Sequence, residues 1–302
     1  MFHRHVTRLF LLCVAGILIF MTNPQNDKTV AAPEIAAANP LTARWAGPYG
    51  GIPPFDKVKI SDFKPALEAA MAENLAEIDA IANNTAAPDF DNTIAALERS
   101  GQMFDRVTTI YGIWSSNMSS NEFEPIETEM APLLAAHGDK ITQNAALFKR
   151  IEAVYQSDQI KKQKPGEHQR LTWLYYTNFV RSGAKLAPEG KKRLSEINQQ
   201  LAGLFTKFSQ NLLGDEGQLY LTITSQAELA GLPQSLIDAA AQAATAKGKA
   251  GSWVIRNTRS SIDPFLTYSA NRTLREKAWR MFINRGDNGD ARDNNAGITQ
   301  IL

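Results

Sequence analysis

Apolar residues recur at three- and four-residue steps through most of the chain, a spacing that places them on one side of successive α-helices. Phe63, Leu67, Ala70, Met71, Leu75, Ile78 and Ile81 form the first such stripe. Ser61 is its expected N-cap and Asn83 with Asn84 its expected end; Pro65 is compatible because it falls in the first turn. A second helix, capped by Asp91 or Asn92, is expected to bury Ile94, Leu97, Phe104, Val107, Tyr111 and Trp114. Further helices are expected at about 122–137, 141–157, 167–182 and 188–213, punctuated by Gly138, Pro165 with Gly166, and the segment 188–190 (PEG). The last is long, with a stripe of Leu194, Ile197, Leu201, Leu204, Phe205, Phe208 and Leu212, and Gly214 is expected to close it.

The period then changes. Residues 218–224 (QLYLTIT) alternate polar and apolar as a strand does, and 252–256 (SWVIR) read as a second strand. Between them lie 228–233 (ELAGLP) and an alanine-rich helix at 234–247. Pro264 is expected to open another helical turn, and 271–285 to be helical with Leu274, Ala278, Met281 and Phe282 inward. Ile298, Ile301 and Leu302 continue a helical spacing to the last residue, which reads as a helix cut short. No internal repeat is visible. The fold class is mainly α, with a small two-stranded β element around 219–256.

The first residues carry a different signal. His3, Arg4, His5 and Arg8 precede thirteen apolar residues at 9–21 (LFLLCVAGILIFM), short for a membrane span. A polar, Ala/Pro-rich stretch comes next at 25–40, with small-residue cleavage sites near 29–31 and 36–38. This pattern reads as an export signal, with a periplasmic destination and no stable membrane association after cleavage; an uncleaved inner-membrane anchor is the alternative. Cys13 is the only cysteine, so no internal disulfide forms, and Leu12 stands where a lipoprotein site wants a small residue. Lys and Arg number 32 against 31 Asp and Glu, which leaves no strong basic field for nucleic acid. The cluster Lys161, Lys162 and Lys164 is too short to change this and reads as a solvated loop.

No local catalytic signature accompanies these elements. The four histidines are His3, His5, His137 and His168, and none has a second histidine four residues on. A helix must offer histidines at that spacing to aim both rings at one metal, with the intervening glutamate as base, so HExxH is absent from these 302 residues. Glu167 and His168 read as a solvent-facing helix start. No CxxC, GxSxG or glycine-rich phosphate loop occurs. Trp173, Tyr175, Tyr176 and Phe179 could form a stacking platform, but aromatics at helical spacing read as a helix with two buried faces. Glu122, Glu124, Glu127 and Glu129 form a charged run on one helix. Asp287, Asp290 and Asp293, around Gly286 and Gly289, lack the closing glutamate of a calcium loop and read as a polar helix–helix connection. No catalytic, cofactor-binding or metal-ligating residue is assigned.

Several segments nevertheless resemble a known family in order along the chain. Residues 51–60 (GIPPFDKVKI) and 62–66 (DFKPA) look like the lead-in arm and first helix of bacterial peptidyl-dipeptidases, in the thimet oligopeptidase family of zinc metallopeptidases. Residues 87–101 (APDFDNTIAALERSG), 131–137 (APLLAAH), 179–184 (FVRSGA), 229–233 (LAGLP), 271–276 (NRTLRE) and 285–294 (RGDNGDARDN) are similar to that family too. The resemblance covers roughly 40–302 and implies an all-helical clam shell with a deep channel between two lobes. It implies zinc-dependent release of C-terminal dipeptides from short peptides by a monomer. Residues 1–38 would be export signal and linker, 39–215 the helical N-terminal lobe, and 216–302 the start of a truncated peptidase domain. The family's zinc ligands and base lie on an HExxH helix and a later glutamate, so none is carried over, and no zinc is expected for this polypeptide alone. An endo-acting oligopeptidase and a non-catalytic helical peptide-binding module are the alternatives.

Overall fold

In a computed structural model the chain is described over residues 39–48, 51–161 and 166–302. The export segment with His3, His5 and Cys13 lies outside the described residues, as do Lys162, Lys164, Pro165 and the side chain of Lys161. The described helices are α1 (Phe63–Ala82), α2 (Ala95–Arg99), α3 (Gln102–Asn117), α4 (Glu124–Thr142), α5 (Ala145–Gln156), α6 (Asp158–Lys161), α7 (Glu167–Arg181), α8 (Pro188–Gln218), α9 (Gln234–Ala246), α10 (Arg259–Tyr268), α11 (Arg272–Ile283) and α12 (Asn295–Ile301). Strands β1 (Tyr220–Ile223) and β2 (Trp253–Arg256) pair antiparallel, with Tyr220 opposite Arg256 and Ile223 opposite Trp253. The fold is mainly α, with this two-stranded sheet as its β element, as the pattern predicts.

The apolar stripes collect into three main clusters. Phe63, Leu67, Val107, Ile110, Trp114 and Met130 join α1, α3 and α4. Phe63 is the centre of an aromatic group, edge-on to Phe123 at 5.1 Å and to Trp114 at 5.2 Å, the arrangement ring quadrupoles favour. Further along α1, Ile78 and Ile81 pack with Ile94, Leu147, Ile151 and Phe179 of later helices. The third cluster seals the sheet against α10 and α11 through Ile223, Ile255, Ile262, Phe265, Leu274 and Ala278.

Several predicted boundaries move, each for a local reason. Ser61 lies inside a 3-10 turn at Ile60–Asp62, and α1 begins at Phe63. Asp89, rather than Asp91 or Asn92, is the cap of the next helical segment: its Oδ1 accepts from Asn92 N at 2.7 Å, while Asn92 Oδ1 accepts from Asp89 N at 3.1 Å, a reciprocal capping box. The expected continuous second helix is broken between α2 and α3, because Ser100 is extended and Gly101 takes φ +73°, a left-handed conformation that glycine adopts without a Cβ penalty.

Other elements run past their expected ends. Helix α4 continues through Gly138 to Thr142. Helix α8 continues through Gly214 to Gln218; a Cβ at Gly214 would stand 2.7 Å from Arg292 Cδ, so the glycine makes room for an arginine rather than ending the helix. Pro264 sits inside α10 instead of opening it, and α11 stops at Ile283. In α7, Phe179 is buried but Trp173 and Leu174 are exposed, so the helix buries one face rather than two.

Helix α8 ties the later part of the chain to the earlier helices. Lys191 Nζ donates to Gln143 O at 2.9 Å, Asn198 Nδ2 to Asp139 Oδ1 at 2.7 Å, and Gln210 Nε2 to Glu124 O at 3.0 Å. Rising numbers on α8 therefore meet falling numbers on α4, and the two helices run antiparallel. The predicted apolar stripe of α8 is only partly buried: Phe205 is 53% exposed, and the fully buried residues of this helix are Asn211 and Asp215.

Candidate functional site

Two histidines fall within the described residues, and they are occupied separately. His137 on α4 is 4% exposed, with its Nε2 2.9 Å from Asn74 Oδ1 of α1 and its ring tilted against Phe104. Burial, and then the charge of Lys140, hold its imidazolium below the usual histidine range. His168, in the first turn of α7, stacks on Phe90 at 3.8 Å between ring centroids. Among the described residues no group of three His, Cys, Asp or Glu side chains could hold a metal ion. The described residues taken alone therefore do not assemble the three protein ligands a zinc centre needs.

The run of glutamates separates on folding. Glu122 precedes α4, and Glu129 faces outward to pair with Lys64. Glu127 turns inward and is 6% exposed. It occupies the same face as Phe123, Met130 and Leu134, three- and four-residue steps apart, so a carboxylate stands where the stripe would carry an apolar side chain. Ser115 Oγ of α3 donates to Glu127 Oε1, and Gln210 Nε2 of α8 lies 3.4 Å from Oε2. No cation pairs with Glu127 among the described residues.

That carboxylate lines a cavity of about 300 Å³ between α3, α4 and α8. Tyr111 contributes to the same wall; burial, and then the charge on Glu127, push its pKa up, so the phenol keeps its proton. Phe205 and Leu213 of α8, the latter 41% exposed, form an apolar rim. The cavity thus offers an uncompensated negative charge at its base and an apolar mouth. Concavity with a few convergent polar groups is the usual form of a small-ligand site.

A second polar centre sits five residues further along α8. Asp215 is fully buried. Its Oδ2 accepts from Gly286 N at 2.8 Å and from Asn288 Nδ2 at 2.7 Å, and its Oδ1 accepts from Arg292 Nε at 2.6 Å. Asn211 Nδ2 donates to Asn294 Oδ1 at 2.7 Å, and Asn294 N donates to Gly286 O at 2.7 Å. The aspartate-rich segment 285–294 is thus a polar connection folded onto one buried carboxylate. Its own acids turn outward: Asp290 pairs with Arg292, and Asp287 Oδ1 accepts from Asn295 Nδ2.

Sequence comparison relates the chain to known proteins. No family model matches the chain. It is 33% identical to the dipeptidyl carboxypeptidase of Salmonella typhimurium over 269 residues, 88% of this chain and 39% of that protein. It is 33% identical to the dipeptidyl carboxypeptidase of Escherichia coli over 267 residues, 87% of this chain and 38% of that protein. The chain belongs to the family that holds the dipeptidyl carboxypeptidases and the thimet-type oligopeptidases. Organellar oligopeptidase A of Arabidopsis thaliana is a more distant member, 27% identical over 284 residues, 91% of this chain and 34% of that protein. The family read from the colinear motifs is the one the comparisons find.

This family member spans about two-fifths of the length of the curated relatives it matches. The sequence pattern marks neither Glu127 nor Asp215 as buried. Each carries one signal that could have found it: a polar residue at a position where the helical stripe calls for an apolar one, as Asn74 also is on α1.

Proposed function

We propose that the chain is the N-terminal portion of a zinc-dependent peptidyl-dipeptidase that releases C-terminal dipeptides from short peptides. The observation that carries this reading is the 33% identity to dipeptidyl carboxypeptidases over nearly nine-tenths of the chain. The metal ligands would be supplied by sequence beyond these 302 residues, and no chemical step is assigned to the residues present. Residues 39–215 would serve as the helical lobe walling a peptide channel, and 216–302 as the start of the peptidase domain. The protein would act as a monomer on short peptides in the periplasm, with its leader either removed or kept as an inner-membrane anchor, and without nucleic acid. An endo-acting oligopeptidase is the neighbouring alternative; the relatives named oligopeptidase A are less similar, at 25–28% identity.

The test compares the 302-residue chain with any longer product of the same reading frame. Both are assayed on a blocked tripeptide, with metal analysis of each preparation and identification of the products. The expected outcome is zinc content and dipeptide release in the longer product alone. Zinc-dependent turnover by the 302-residue chain overturns the reading. A stop codon directly after Leu302 would instead support a peptide-holding module without catalysis, and the Glu127 cavity is the feature that favours that second reading.

A further inference from the structure

We propose that the cavity between α3, α4 and α8 is a subsite for a cationic amine on a peptide, with the Glu127 carboxylate as its anchor and Phe205 and Leu213 holding the adjoining apolar side chain. This deepens the peptide-handling reading above and rests on it. Burying a carboxylate is costly unless it is paired and hydrogen-bonded. Glu127 is more than nine-tenths buried, and its hydrogen-bond partners are the neutral donors Ser115 and Gln210. Two neutral hydrogen bonds, one of them long at 3.4 Å, offset part of that cost and leave the charge unmatched.

The space beside the carboxylate is open, at about 300 Å³. That is the lower end of small-ligand cavities, which run from roughly 300 Å³ upward. The Tyr111 phenol keeps its proton and can donate to a peptide carbonyl next to the bound amine. An ammonium presents three donors, which suits a cavity-lining carboxylate whose two neutral partners leave acceptor capacity unused. The exposed Phe205 and Leu213 then cover the side chain beside it. An α-amino group and a lysine side chain share this chemistry.

Binding is measured by calorimetry on the full chain with three probes: the free-amine peptide Leu-Ala-Ala-Ala, its N-acetylated form, and N-acetyl-Lys-Ala-Ala-Ala. Selective binding of the first assigns the site to a peptide N-terminus; binding of the third assigns it to a lysine side chain. Glu127→Gln keeps the shape and removes the charge. It is expected to weaken the amine-bearing peptide by roughly tenfold or more, while the acetylated neutral peptide does not respond. Phe205→Ala, on an exposed position that leaves the fold intact, is expected to weaken the same peptide by several-fold, which keeps the test valid if the Glu127 variant fails to fold. Equal binding of the acetylated Leu peptide, no binding of either amine at millimolar concentration, or indifference to both substitutions overturns the proposal. Loss of amine selectivity with intact hydrolysis by the longer product defeats this inference alone. Amine-selective binding with no hydrolysis defeats the peptidase reading alone.

Discussion

Arg292 sets its Nε 2.6 Å from Oδ1 of Asp215, closing a sequence separation of 77 residues with one charge-assisted hydrogen bond. The same guanidinium reaches Gln218 Oε1 at 2.9 Å and Asp290 Oδ2 at 3.2 Å, so its planar fork serves three acceptors. The hydrogen bond to Asp215 is the main reason the guanidinium is held above its ordinary pKa. Around this pair, a loop rich in glycine and aspartate takes a single course.

Removing the carboxylate strands a buried backbone N–H, an amide and a cation at once. Asp215→Ala is expected to lower stability by roughly 3–5 kcal/mol, the range for breaking a buried pair by deleting one partner. Arg292→Lys should cost less but still register, because an ammonium cannot serve three acceptors in a plane. Urea midpoints of the two variants, read by circular dichroism, check the order.

Gly101→Ala meets two obstacles. The left-handed φ of +73° costs an L-residue about 1–2 kcal/mol, and the new Cβ would stand 2.9 Å from Asn74 Nδ2. Asn74 must then move, and with it the acceptor of His137. A drop in thermal midpoint, together with a shifted His137 imidazole resonance, is the expected result.

Arg150 on α5 is buried and holds the turn ahead of α2. Its guanidinium donates to Asn84 O at 2.7 Å, Ala86 O at 3.0 Å and Asn92 Oδ1 at 2.6 Å. Arg150→Ala should cost about 2–3 kcal/mol, because partners that bond a charged donor are left unsatisfied. Arg150→Lys should recover less than half of that, since one ammonium cannot match the spread of these oxygens. Chemical denaturation of both variants tests the claim.

His137 gives a pH dependence of definite sign. Its folded pKa lies below the ordinary value of 6.5, with burial as the leading cause. The unfolded chain therefore binds the proton first on acidification. The stabilisation is complete above about pH 6.5 and is lost as the pH falls from there toward the folded pKa. His137→Gln should flatten that part of the stability–pH curve; an unchanged slope would remove His137 as its source.

Most helices are legible in the sequence because their apolar period is regular, and the strands because the period changes at Tyr220. Boundaries are missed where a side chain or a backbone sign decides them: the Asp89 cap lies outside the apolar stripe, and the left-handed turn at Gly101 interrupts a stripe that runs on in the sequence from Leu97 to Phe104. The buried polar residues are the hardest to read. Asn74, Glu127 and Asp215 each stand at a stripe position, but what keeps a polar group there is a partner 63, 83 or 77 residues away. Spacing along one segment carries no information about such partners. The lack of an HExxH pair is plain from the sequence, because that motif is local.

The 31 residues of α8 form one uninterrupted rod, with Lys191 bonded to Gln143 O towards one end and Gln210 at the cavity towards the other. A helix advances by about 100° per residue, so the angle between these two side chains is set by counting alone. Inserting or deleting a single residue between Lys191 and Gln210 would leave both sequences locally intact and yet turn one end out of phase with the other. Only changes close to whole turns, such as about seven residues, would keep both ends in step. The length of this segment should therefore drift far less among related proteins than its side chains do.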